Sequence, residues 1–87
     1  MDLQEIRRDI DYIDQQLVDL FCRRMALSAQ VADYKKANNL PVFFPEREQE
    51  ILNRVSEQAG PELAPYIRRL YAALFDESCL YQAEVMK

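Results

Sequence analysis

At 87 residues the chain holds one domain and not two independent cores. A core this small is marginal on its own, because a domain of ~60 residues buries only ~60% of the surface its unfolded chain exposes. A composition 49% hydrophobic and 30% charged, with a net charge of −4, argues against a disordered chain and against one that lives on nucleic acid.

There is one glycine, against a usual ~7%. That is too few for the turns of a β-fold, so an all-α protein is expected. Histidine is absent, which removes the usual proton shuttle near neutral pH and the commonest metal ligand; no metal site is expected. Cys22 and Cys79 are far apart with no CxxC spacing. They read as reduced core thiols, with a single disulfide as the alternative. The chain opens on acidic and polar residues, without the apolar run of a signal peptide. No stretch approaches the ~20 apolar residues of a membrane span. A cytoplasmic protein with no membrane partner is the expectation.

The first element dominates. Leu3, Ile6, Ile10, Ile13, Leu17, Leu20, Leu27, Val31 and Tyr34 alternate in steps of three and four, the pattern of a heptad seam. It predicts one helix from about Asp2 to Ala37, stopped by Asn38-Asn39, residues suited to a left-handed cap. Such a helix is ~50 Å long at ~1.5 Å per residue, whereas a compact chain of this length has a radius of gyration of ~12 Å. The remaining residues cannot sheathe it. A second copy packed along the seam is the simplest cover, so a twofold homodimer is expected.

Leu40 to Phe44 form a loop. Pro45 suits the first position of a second helix, with Glu46 and Glu48 matched to its dipole. This helix runs to about Ala59, with Ile51, Leu52 and Val55 as its apolar face, and Gly60-Pro61 ends it. A third helix is expected from near Pro65 to about Val85, with Ile67, Leu70, Tyr71, Leu74, Phe75, Cys79 and Leu80 as its apolar set. Residues 1–87 read as one helical domain without repeats or linkers.

Arg24 breaks the seam between Leu20 and Leu27. It is either a register-setting coiled-coil residue or a cation pointing into a pocket. Lys35 lies eleven residues on, which is three turns, ~20° of rotation and ~16 Å along the axis. The two therefore share a face. Arg7 is ~25 Å from Arg24 on the same helix. In an antiparallel dimer crossing near residues 16 to 21, it would come beside Arg24 and Lys35 of the other chain; otherwise it is a surface charge paired with Asp11. Ser78 and Gln82, spaced i, i+4, are either a satisfied core pair or a pocket wall. Arg47 and Glu48 are either ordinary first-turn charges or part of the same site.

These residues carry a resemblance. Arg7-x6-Asp14, Leu17-x-x-Leu-Phe-x-Arg-Arg-Met, Tyr34-Lys35-Lys36, Leu40-Pro41-Val42, Pro45-Glu46-Arg47-Glu48 and Ser78-x-x-x-Gln82, taken together in this order, resemble the all-helical chorismate mutase family over nearly the whole chain. The resemblance implies an intertwined homodimer of three-helix chains. It implies two identical sites without a cofactor, and the rearrangement of chorismate to prephenate. Carried over by position, it implies that Arg24, with Ser78 nearby, holds one substrate carboxylate and Arg7 of the partner chain the other. Lys35 would contact that second carboxylate and the ether oxygen, and Gln82 would donate to the same oxygen. Glu48 would accept from the ring hydroxyl, with Arg47 lining the site. Phe44 is a departure, since relatives often carry Asp there. Two rival readings remain. One is an isochorismate-pyruvate lyase, against which the Glu48 carboxylate argues because that lyase tends to be apolar there. The other is a non-catalytic helical dimerisation module.

Overall fold

The computed structural model describes residues 2–87. Among them there are three helices and no strand: α1 (Leu3–Ala37), α2 (Pro45–Ala59) and α3 (Ala64–Val85). Each boundary falls within a residue of the one expected.

The ends of the helices follow from local chemistry. The Asp2 carboxylate accepts from the Glu5 N–H at 2.9 Å, capping orphan donors of the first turn of α1. Lys35 and Lys36 lie in its last turn, where cations suit the dipole. Asn39 takes the left-handed conformation at φ 56°, and the Leu40 N–H returns to the Lys35 carbonyl at 2.8 Å. That bond satisfies a carbonyl the helix leaves over. Pro45 opens α2, and Gly60 closes it at φ 86°, ψ 165°, a region almost restricted to glycine.

Both other helices pack on α3. Ser28 meets Ser78 and Lys36 meets the Lys87 carbonyl, so α1 and α3 run in the same direction along their C-terminal parts. Arg68 meets Ser56 while Cys79 meets Glu48, so α2 runs opposite to α3. Ile51 and Val55 of α2 bury against Phe75, with Leu52, Ile67 and Tyr71 packed around them. Tyr71 and Phe75 meet edge to face, centroids 5.8 Å apart, the preferred arrangement of two aromatic quadrupoles.

Two features differ from the sequence expectation. On α3 the buried face is Phe75, Ser78 and Gln82, whereas Leu70 and Leu80 of the expected apolar set are exposed. On α1 the residues buried against α3 are Ser28, Ala32 and Lys35, so the chain's own helices leave the seam uncovered, as the excess length of α1 implied. Small side chains let the two helices approach, and the polar ones pair across the contact. All nine seam residues stay 41–64% exposed. The chain measures 54 × 26 × 15 Å with a radius of gyration of 15.9 Å, well above the ~12 Å of a compact chain of this length. The excess is the N-terminal part of α1, which extends past the other helices. Cys22 lies there, exposed, contrary to the expected core position; both cysteines are free thiols.

A methyl group built on Gly60 meets nothing within 4 Å, so the conformation alone penalises a side chain. Gly60→Ala is expected to lose about 1–3 kcal/mol of stability, measurable as a lower urea midpoint with an unchanged slope.

Candidate active site

A cavity of ≈ 290 Å³ opens where the C-terminal parts of α1 and α3 meet the N-terminal turn of α2. α1 contributes Arg24, Leu27, Ser28, Val31 and Lys35. The loop contributes Val42 and Phe44; α2 contributes Arg47, Glu48 and Ile51; α3 contributes Phe75, Ser78, Cys79 and Gln82. Six of the seven residues singled out from the sequence therefore line one space: Arg24, Lys35, Arg47, Glu48, Ser78 and Gln82. Arg7 does not. It is exposed on the far part of α1, ~25 Å from Arg24 by helix rise.

Lys35 is the centre of the site. Only 8% of it is exposed. Its ammonium donates to the Val42 carbonyl at 2.6 Å and to Gln82 Oε1 at 2.7 Å. It lies 4.9 Å from the centre of the Phe44 ring, and it has no carboxylate within ion-pair distance among the described residues. Burial pushes its pKa down from the ordinary lysine value. The Cys79 thiol and the Glu48 carboxylate work in the opposite direction.

The polar chain continues inward. Gln82 Nε2 donates to Ser78 Oγ at 3.3 Å, and Ser78 Oγ shares a hydrogen bond with Ser28 Oγ at 2.9 Å. Lys35, Gln82, Ser78 and Ser28 thus satisfy one another across the α1–α3 contact, as buried polar groups must. Each amide nitrogen and ammonium has more hydrogens than this network uses, so both Gln82 and Lys35 retain a donor for a ligand.

The cavity is strongly cationic. Arg24 is half-buried with no ion-pair partner among the described residues. Arg47 is anchored to Glu50 at 2.6 Å, and more than half of each side chain is exposed. Glu48 is the one carboxylate lining the cavity. It accepts a weak hydrogen bond from the Cys79 thiol at 3.8 Å. Burial pushes that thiol's pKa up, and the Glu48 charge and hydrogen bond add to the shift. Three cations around one carboxylate, with neutral donors between them, suit a small anion carrying more than one negative charge and a hydroxyl or amine for Glu48.

Ser28, Val42 and Cys79 were not singled out as site residues from the sequence. For Ser28 the signal was present: Arg24, Ser28 and Lys35 follow at i, i+4 and i+11, one polar stripe on one helix face. Val42 acts through its backbone carbonyl, which no side-chain pattern reports.

The profile of the family described as chorismate mutase type II matches residues 6–83, and the chain belongs to that family. It is 40% identical over 61 residues to the T-protein of Haemophilus influenzae, covering 67% of this chain and 16% of that one. It is 40% identical over 53 residues to the chorismate mutase of Methanocaldococcus jannaschii, covering 61% of this chain and 54% of that one. It is 28% identical over 87 residues to the 4-amino-4-deoxychorismate mutase of Streptomyces venezuelae, covering 98% of this chain and 84% of that one. The chain spans only 14–16% of the length of several such relatives. No solved structure matches it significantly. No helix among the described residues is long and apolar enough to cross a membrane.

Removing the Gln82 amide tests the network itself. Gln82→Leu leaves the buried Lys35 ammonium with one acceptor and takes a donor from Ser78. A loss of about 1–3 kcal/mol is expected, read by urea unfolding without any ligand.

Proposed function

We propose that residues 1–87 form a single chorismate mutase domain that converts chorismate to prephenate and works as a homodimer. The observation that carries this reading is the convergence of Arg24, Lys35, Arg47, Glu48, Ser78 and Gln82 on one cavity in a chain of this family. The rearrangement breaks a C–O ether bond as a C–C bond forms, within one molecule. It requires no nucleophile, proton transfer or cofactor. What it requires is a fixed conformation and donors aimed at the oxygen where negative charge develops.

In this reading Arg24 and Ser78 hold one carboxylate of the substrate. Lys35 contacts the other carboxylate and the ether oxygen, and the second amide hydrogen of Gln82 goes to that oxygen. Glu48 accepts from the ring hydroxyl, with Arg47 lining the site. Arg7 comes from the partner chain to the second carboxylate. Support for the dimer comes from the uncovered seam, an apolar stripe running the length of α1, which an antiparallel copy would bury while bringing its Arg7 near this cavity.

The 84% coverage of a 4-amino-4-deoxychorismate mutase supports a second reading, in which Glu48 pairs with a ring ammonium. Purified protein is to be offered chorismate, 4-amino-4-deoxychorismate and isochorismate, with loss of absorbance followed and the product identified. Prephenate from chorismate is the expected outcome. Turnover of the amino compound alone supports the second reading, and pyruvate from isochorismate supports a lyase.

Two further outcomes are expected. Arg7→Ala and Gln82→Ala should each lose activity, on the scale of the ~10²–10³ that one such donor contributes. When mixed and allowed to exchange subunits they should regain activity, because a mixed dimer has one site with both lesions and one with neither; about half the normal activity per mixed dimer is expected. A mixture that stays inactive places Arg7 in its own chain's site or in none. Gln82→Glu should gain activity as pH falls from 8 to 5. A protonated Glu still donates to the ether oxygen, whereas an ionised one repels the charge forming there. Burial raises its pKa above the reference ~4.3 and the Lys35 ammonium lowers it, so the direction of the profile is the readout. A flat profile with the fold intact by circular dichroism removes Gln82 from the ether-oxygen role.

A further inference from the structure

We propose that Phe44 is a positioning residue for Lys35: its ring face holds the buried ammonium in place and charged without neutralising it. The proposal deepens the mutase reading and rests on it for its catalytic consequence. Phe44 is the N-cap residue of α2, yet its side chain makes no cap hydrogen bond. At this position an oxygen-bearing side chain would normally accept from the first N–H groups of the helix. The chain forgoes that, and the ring instead stands 4.9 Å from Lys35 Nζ.

The remaining surroundings of the ammonium explain why this matters. Its two hydrogen-bond acceptors, the Val42 carbonyl and Gln82 Oε1, are neutral. The charged or titratable groups facing it are the Glu48 carboxylate from α2 and the Cys79 thiol from α3, with the Arg24 and Arg47 guanidiniums lining the same cavity. The Glu48 carboxylate forms no ion pair with Lys35 among the described residues. A buried cation in that position tends to lose its proton. An aromatic face attracts it through the ring quadrupole but carries no net charge and takes no N–H bond. The ring therefore supports the charged form and leaves both the charge and one donor for the ligand.

The experiment reads the ammonium directly. The chain has three lysines, Lys35, Lys36 and Lys87, so side-chain NMR resolves each titration in the free protein. In Phe44→Leu, which keeps apolar bulk and removes the π face, Lys35 is expected to titrate about one pH unit lower, a tenfold change in its protonation constant. Lys36 and Lys87 should not move. Phe44→Tyr and Phe44→Trp should retain the wild-type value. With chorismate, the alkaline limb of kcat/KM for Phe44→Leu, which reports the free enzyme, should move to lower pH by the same amount and be restored in Phe44→Tyr.

An unchanged Lys35 titration in a folded Phe44→Leu protein overturns the proposal. Should Phe44→Leu not fold, site-specific 3,4,5-trifluorophenylalanine at the same position weakens the π face at nearly constant shape; an equal titration there overturns it as well. A titration that follows the ring in a protein that turns over no chorismate upholds the pairing and overturns the mutase reading alone.

Discussion

A single buried ammonium group ties α1, the following loop and α3 together at one end of this structure. Lys35 sits in the last turn of α1, and its backbone carbonyl accepts the return bond that ends the helix. Its side chain then fastens the loop through Val42 and α3 through Gln82. Three segments that share no apolar core at this end are joined by one cation. Burying that charge is unfavourable, and its lowered pKa is the signature. Hydrogen bonds and the Phe44 ring offset part of the penalty, but no carboxylate cancels the charge.

The other groups of the cavity extend the same arrangement. Arg24 and Arg47 add like charge around a space whose one carboxylate is Glu48. Gathering like charge around one space in this way favours an anion that fills it. The α1–α3 contact is correspondingly polar and close-fitting. Ser28, Ala32, Ser78 and Gln82 are small or satisfied side chains, and they position donors more rigidly than solvated surface groups would.

The opposite end of α1 is governed by a different constraint. Its apolar stripe runs past the short helices, and among the described residues no large side chain is completely buried. In the proposed dimer one long helix therefore does two things. Its seam supplies the burial that this small chain lacks, and its length carries Arg7 across to a site that the single chain leaves one cation short.

Much of this was legible in the sequence because it depends on neighbours along the chain. The three helices follow from periodicity, from Asn39 and Gly60 at their ends and from Pro45 at a start. That Arg24 and Lys35 share a face follows from helical rotation, as does the excess length of α1. Other features depend on which face of each helix meets another, and here the apolar pattern misled. On α3 it marked the face bearing Leu70 and Leu80, whereas the contact with α1 uses Phe75, Ser78 and Gln82 against Ser28, Ala32 and Lys35. Apolar periodicity reports all the surface a helix needs to bury, without distinguishing its own chain from a partner. Only the tertiary structure brought the Val42 carbonyl, the Phe44 ring and the Gln82 amide around one ammonium. A backbone carbonyl has no sequence signal. The environment of a buried charge is set by groups distant along the chain, whose distances are decided only when the helices pack.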